Sequence, residues 1–162
     1  MGSILTFMQE SNASMFWTLT ANRPDSLPPE LLRKGRMDEV FSVLPPNATE
    51  RKEIIRIHLA KRKQKMIVRG LDALIAASKG YVGAEIEAAI KEACVDAYVQ
   101  GARVNGKTVM AQLACMKPIS IAFKEDFDRM KKWAQNNARP SSPVDPDESP
   151  TPRKVRRGRM ID

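Results

Sequence analysis

The sequence predicts a mainly α-helical protein with two short strands near its N-terminal end and a disordered tail. Apolar residues recur at helical spacing through residues 47–138, and two short apolar runs precede that region. The last stretch, 139–162, is rich in Pro, Ser and charged residues. A segment of that composition buries too little apolar surface to order itself. We therefore predict three parts: 1–46, a helical domain at 47–138, and a disordered basic tail.

The first part contains the two predicted strands. Residues 16–20 form a β-rich run that meets the loop signal at 22–25, and residues 40–44 form an apolar run that stops at Pro45. Short apolar runs bounded by loop residues are typical of buried strands. A short helix is predicted between them at 28–34, because Pro favours the first turn of a helix and Gly favours the position after its end.

Four helices are predicted in the second part. Asn47 and Glu50 have the spacing of a capping box, so a helix should begin after Asn47. A second helix should run from about Leu71 to near Gly80. The third, from about Gly83 to Gln100, has apolar residues at steps of three and four, which predicts a buried stripe. The last is marked by Phe123, Phe127, Met130 and Ala134.

Composition excludes several classes of protein. The chain has 162 residues, of which 43% are hydrophobic and 28% charged, as in soluble globular proteins. No stretch approaches the roughly 20 apolar residues that span a bilayer, so we predict no membrane contact and a cytoplasmic location. Cys94 and Cys115 are interpreted as small buried hydrophobic residues in a reducing compartment. With a single histidine, no metal site is predicted.

The net charge of +8 raises the possibility of nucleic-acid binding. However, residues 152–159 carry five positive charges, and much of the remaining excess is scattered among Glu and Asp. This distribution favours a solvated basic tail over a nucleic-acid contact. A helical binding module that uses its tail on nucleic acid or on an acidic partner remains the alternative function.

Several motifs resemble those of AAA ATPases. Residues 16–46 are similar to the segment that runs from the sensor-1 strand through the arginine fingers to the last strand of the large domain. Later motifs are similar to the helical lid that follows, in the same order and spacing over roughly 1–138, and LLRKGRMDE suggests a bacterial and plastid-type subgroup. The motifs are TANRPD at 20–25, LLR at 31–33, GRMD at 35–38, ERKEI at 50–54, IHL at 57–59 and GYVGAEI at 80–86.

The resemblance implies a remnant of an α/β AAA large domain at 1–46, followed by a helical AAA lid at 47–138. It also implies catalytic roles for Asn22, Arg33 and Arg36. An Asn side chain offers a donor and an acceptor that can orient an attacking water. The two arginines would act as fingers on the γ-phosphate of a neighbouring subunit. The simpler interpretation of LLRKGR is a helix that ends at Gly with basic residues near its C-terminus.

On the nucleotide side, the resemblance implies binding roles for three lid residues. His58 resembles the histidine that lies beside the ribose, and Gly83 and Ala84 resemble the turn that packs near the adenine. A lone histidine on an amphipathic helix can equally be a surface or interface residue. Both interpretations of His58 stay open at this point.

Residues 101–108 fit the phosphate-loop pattern GxxxxGK[ST]. We do not expect them to bind phosphate, because a long amphipathic helix precedes them where a strand would be needed. The resemblance places the genuine phosphate loop and the acidic pair for magnesium upstream of Met1. ATP and Mg²⁺ would then belong to the complete protein, expected to be a hexameric ring acting on a protein substrate. This chain alone should neither bind nor hydrolyse ATP.

Overall fold

A computed structural model of the chain describes residues 6, 15–33, 36–65 and 69–143. The predicted mainly α fold class is confirmed, since only two very short strands accompany the helices in that part of the chain. In chain order the elements are a 3₁₀ turn (Pro24–Ser26), β1 (Phe41–Ser42), α1 (Ala48–Lys61), α2 (Leu71–Ala77), α3 (Gly83–Val99), α4 (Gly106–Ala114), α5 (Ile119–Ala122), α6 (Lys124–Asn137) and β2 (Arg139–Pro140). Helices α4 and α5 had not been predicted.

Helices α1 to α4 pack around one hydrophobic core. Helix α3 supplies four of the ten buried core residues, more than any other helix. Its predicted stripe is confirmed in part, since five of its residues are buried, whereas Cys94 is half-buried and Tyr98 is exposed. Each large side chain removed from water contributes about 1.5–3 kcal/mol, so this cluster stabilises the four helices as a unit. The buried members are Ile55, Leu59, Leu74, Tyr81, Ile86, Ala89, Ile90, Ala93, Val109 and Leu113.

Helix α1 begins at the predicted capping box. The Glu50 N–H donates to Asn47 Oδ1 at 2.9 Å, and the Asn47 N–H donates to Glu50 Oε2 at 2.8 Å. Next to this cap, Arg51 is 5% exposed and donates to the carbonyls of Ile75 and Pro46 at 3.1 and 2.8 Å. The buried guanidinium therefore ties the entry of α1 to the end of α2 through backbone acceptors.

Two predictions for the first part are wrong. Residues 16–20 are not a strand: they are exposed and irregular, and Phe16 is 95% exposed. A strand needs a neighbouring strand to bond its backbone, and the sheet formed by the described residues consists of β1 and β2. Residues 28–33 form turns, with Leu31 and Leu32 donating to Pro28 and Pro29, in place of the predicted helix. The end of that predicted helix at residue 34, and the Gly that follows it, lie outside the described residues.

The second predicted strand is confirmed only as β1, and its partner comes from the predicted tail. β1 and β2 are parallel, with Phe41 opposite Arg139. The Arg139 N–H donates to the Val40 carbonyl at 2.8 Å, and the Ser141 N–H donates to the Ser42 carbonyl at 3.1 Å. Regular structure thus continues past residue 138. The rest of the predicted tail, 144–162, lies outside the described residues, and so does its basic run.

Helix α6 contacts the first part of the chain. Arg129 Nε lies 3.1 Å from Asp25 Oδ2, in the 3₁₀ turn. The apolar side chains that predicted α6, such as Phe127 and Met130, face the same segment and not the core of α1 to α4. The last helix of the predicted lid therefore packs against the first part of the chain.

The cysteines differ from one another. Cys94 is half-buried, and burial raises the pKa of its thiol, whereas Cys115 is exposed and does not fit the predicted buried role.

Across the described ranges, no helix is both long and apolar enough to cross a membrane. The same residues contain no group of three or more His, Cys, Asp or Glu side chains arranged to hold a metal ion.

Candidate functional site

The predicted histidine lies at the contact between α1 and α3. The His58 side chain is 13% exposed, and its Nδ1 lies 3.2 Å from Glu87 Oε1. Despite this distance the two groups are not aligned for a hydrogen bond, so Nδ1 is a buried polar atom without a hydrogen-bond partner in the described structure. Such an atom costs about 1–3 kcal/mol, and it can bind a ligand or rotate onto the carboxylate.

The Glu87 carboxylate is shared with Arg62. Arg62 Nη2 lies 3.3 Å from the same Oε1, and Arg62 Nη1 donates to the His58 carbonyl at 3.1 Å. The hydrogen bond from Arg62 holds the pKa of Glu87 below its usual value, assisted by the nearby basic side chains of His58 and Lys61. Glu87 is therefore ionised at neutral pH, and a negative charge stands beside the imidazole.

The two predicted adenine-side residues begin α3. Gly83 lies near Ile54, since a Cβ added there would be 3.6 Å from Ile54 Cδ1. That is an ordinary contact, so packing alone does not require glycine at this position. Ala84 is exposed. Ile54 is one turn before His58 and Gly83 is one turn before Glu87, so the structure brings His58 and Gly83 to one face of the α1–α3 contact.

The predicted catalytic residues lie in the first part of the chain, before α1. Asn22 is exposed at the edge of a cleft of about 220 Å³ whose far wall is α6. Arg33 is exposed. Arg36 is half-buried, and its Nη1 donates to the Glu30 carbonyl at 3.1 Å. The three residues are thus in surface turns, where a guanidinium can reach a neighbouring molecule.

Comparison with known proteins gives the family. No protein-family model matches the chain. The AAA domain-containing protein ycf46 of Guillardia theta is 35% identical over 134 residues, 82% of this chain and 26% of that protein. The proteasome-activating nucleotidase of Sulfurisphaera tokodaii is 46% identical over 113 residues, 69% of this chain and 28% of that protein. The cell division cycle protein 48 homolog of Archaeoglobus fulgidus is 36% identical over 88 residues, 54% of this chain and 12% of that protein.

The chain belongs to the AAA family. This confirms the family that the motifs predicted. The chain spans about a quarter of the length of ycf46 and of the nucleotidase. The roles of Asn22, Arg33, Arg36, His58, Gly83 and Ala84 stay predictions.

The phosphate-loop pattern of this AAA chain has a structural explanation. Asn105 caps α4, because its Oδ1 accepts the Lys107 and Thr108 amides at 2.9 and 3.1 Å. The amides that would face a phosphate are therefore occupied. Gly106 is buried, and an added Cβ would lie 3.2 Å from the Gly70 carbonyl oxygen. Close helix packing accounts for this glycine, and a helix and loop precede the pattern where a phosphate loop follows a strand.

We predict that a fluorescent ATP analogue binds this chain no more tightly than about 1 mM, an affinity worth about 4 kcal/mol. The expectation follows from the occupied amides at 107–108. Titration of the parent chain and of Lys107→Ala should give the same weak binding, and Lys117→Ala provides a matched exposed lysine as control. Tight binding that disappears only in Lys107→Ala would contradict the assignment of this segment as a helix cap.

Two residues of this region were missed by sequence reasoning. Glu85 Oε2 accepts the Val82 N–H at 2.8 Å and Oε1 accepts the Ile119 N–H at 2.8 Å, so one carboxylate joins the starts of α3 and α5. Glu87 faces His58 across two helices. The spacing of Val82 and Glu85 could have indicated the first contact. The second depends on the register of α1 against α3, which no local pattern contains.

Proposed function

We propose that this chain is the C-terminal part of an AAA ATPase subunit. In this role α1 to α4 form a lid on the ribose and adenine side of the nucleotide, with His58, Gly83 and Ala84 as its contacts. Asn22 serves as sensor 1, and Arg33 and Arg36 act on the nucleotide of a neighbouring subunit. The subunits form a hexameric ring that uses ATP to remodel a protein partner, and the predicted location is cytoplasmic.

The observation that carries this proposal is the orphaned His58 nitrogen. A buried polar atom without a hydrogen bond is uncommon and calls for a partner. A ribose hydroxyl can donate to or accept from an imidazole nitrogen, so it suits this position. The ionised Glu87 carboxylate, 3.2 Å away, places a negative charge beside this nitrogen.

The remaining parts of an ATP site are not supplied by the described residues. Magnesium prefers carboxylate and water oxygens, and no suitable acidic cluster is present in the described ranges. The amides at 107–108 are occupied by the Asn105 cap. We therefore propose that the phosphates and Mg²⁺ are held by another segment of the complete subunit, and that this chain contributes the lid and the residues that respond to hydrolysis.

The proposed role of Asn22 can be tested in the complete, ATP-hydrolysing assembly. Asn22→Ala should lower turnover by roughly a hundredfold or more, because losing one aligned hydrogen-bond donor from an active site has an effect of about 10²–10³. Nucleotide affinity should stay within about twofold. Asn136→Ala is a matched control, because Asn136 is exposed on α6 and bonds its own helix at the Lys132 carbonyl. Unchanged turnover in Asn22→Ala would remove Asn22 from the mechanism.

A further inference from the structure

Helix α6 is joined to the Asn22 loop by an ion pair. Arg129 Nε lies 3.1 Å from Asp25 Oδ2, and Asp25 is three residues after Asn22. Arg129 also pairs with Asp126 on its own helix, which holds the guanidinium in place. The Asp25 carboxylate is thereby held on α6. Because Asp25 lies in the 3₁₀ turn that begins two residues after Asn22, the ion pair also restricts the position of the Asn22 backbone.

Apolar contacts lie beside the ion pair. Asn22, Arg23 and Asp25 form one wall of the cleft of about 220 Å³. The rest of its lining comes from residues 119–130, with the apolar side chains of Ile119, Phe123, Phe127 and Met130 beside the charged Asp126 and Arg129. The loop is thus placed against α6 over several residues, and the ion pair sets its register on the helix.

The other end of this segment is joined to the lid. The Ile119 N–H donates to Glu85 Oε1 at 2.8 Å, at the start of α3. Ser120 Oγ donates to the Gly80 carbonyl beside it. A continuous series of contacts therefore runs from the start of α3 through α5 and α6 to Asp25. After α6, β2 pairs with β1, so the C-terminal end of α6 is also held in place.

We propose that Arg129 is a positioning residue for Asn22. Its ion pair with Asp25 holds the Asn22 loop on α6, and α6 sets the position of that loop relative to the lid. The inference rests on the proposed role of Asn22 in hydrolysis. It assigns a role in ATP hydrolysis to α6, although α6 lies outside the core of α1 to α4.

The expected effect is moderate, because the pair is partly exposed: the two side chains are 48% and 30% accessible. Exposed ion pairs change an equilibrium by about 1.4- to 5-fold. Arg129→Gln should therefore reduce turnover by about two- to fivefold. Arg129→Glu should have a larger effect, on the order of tenfold, since it places a third carboxylate beside Asp25 and Asp126.

The docking itself is tested in this chain by ¹H–¹⁵N NMR. Arg129→Gln should shift the amide resonances of residues 22–27, whereas Lys132→Gln, an equal charge loss at an exposed site on the same helix, should leave them unchanged. If Arg129→Gln leaves these resonances where they are in the parent chain, the loop is not held on α6 and the inference is overturned.

The link to hydrolysis is tested in the complete ATPase by separating kcat from KM. Arg129→Glu should lower kcat with KM within about twofold, and adding Asp25→Arg should restore most of the turnover by re-forming the pair with reversed charges. A general loss of stability would not be rescued in this way. If Asn22→Ala abolishes turnover while Arg129→Glu does not reduce it, the positioning role is wrong. If Asn22→Ala has no effect, the proposed function fails first and the inference fails with it.

Discussion

Replacing Arg33 or Arg36 with alanine in the complete ATPase should lower turnover by about 10³- to 10⁵-fold, the range found for arginine fingers. Nucleotide affinity should stay nearly unchanged, because the proposed contact is made to the nucleotide of a neighbouring subunit. Arg33 is exposed, as that role requires. Arg36 would have to give up its bond to the Glu30 carbonyl, at a cost of about 0.5–1.5 kcal/mol, which is small beside the expected gain.

Action between subunits can be tested by mixing. Each arginine variant, inactive alone, should regain part of its turnover when combined with a subunit whose phosphate loop is disabled, because the mixed interface pairs an intact loop with intact arginines. Arg56→Ala is the matched control, since Arg56 is an exposed arginine that bonds Glu53 on its own helix. Failure of rescue together with loss of affinity would place the arginines in their own subunit's site.

Replacing Ile55 with alanine should destabilise the helical unit by about 2–5 kcal/mol, because it leaves a cavity in the core. Ile55 is 0% exposed and belongs to the central cluster. Ile57, two residues away on the same helix, is 39% exposed. The same substitution there should cost less than about 1 kcal/mol. Urea unfolding followed by circular dichroism measures both values.

This matched pair tests the packing of α1. Residue type, helix and substitution are identical, so the difference between the two variants isolates burial. Equal losses at Ile55 and Ile57 would mean that α1 is not oriented with Ile55 towards α3, and that the position of His58 on the same contact is wrong as well.

Local patterns predicted the helices that depend on local interactions. The capping box at Asn47 and the apolar stripe of α3 involve residues within one or two turns, and both are present. Helix α4 was missed although Asn105 and Thr108 have the spacing of a cap, because the same letters fit a phosphate-loop pattern. The physical context that separates the two is the preceding element: a phosphate loop directly follows a strand, whereas residue 101 directly follows α3.

Strand predictions failed where pairing was needed. The composition of residues 16–20 suits a strand, yet this run is irregular, because a strand forms only as part of a sheet and the described sheet consists of β1 and β2. Conversely, Arg139 and Pro140 have no strand pattern and still pair with Phe41 and Ser42, which lie 98 positions earlier. Such pairing is decided by the position of α6, which the sequence pattern does not contain.

In the candidate site, too, the sequence indicated individual residues but not the contacts that depend on helix packing. The resemblance indicated His58 and Gly83, and the structure brings them to one contact between α1 and α3. The charged partners of His58, Glu87 and Arg62, could not be predicted, because they depend on how two helices align. The ion pair between Asp25 and Arg129 spans more than 100 residues and was missed for the same reason.

We expect α1 to α4 to fold as a self-contained unit, whereas residues 15–33 depend on contacts outside that unit. Hydrogen exchange of the chain tests it directly. Amides in the interior of α3, at 87–97, should exchange slowly because their helix lies in the core. Amides across 15–33 should exchange almost completely within seconds, since the backbone hydrogen bonds at 23–32 close short turns and the side-chain contacts with α6 do not protect amides. Protection of residues 16–21 equal to that of α3 would contradict the account and show that this segment folds as part of the same unit.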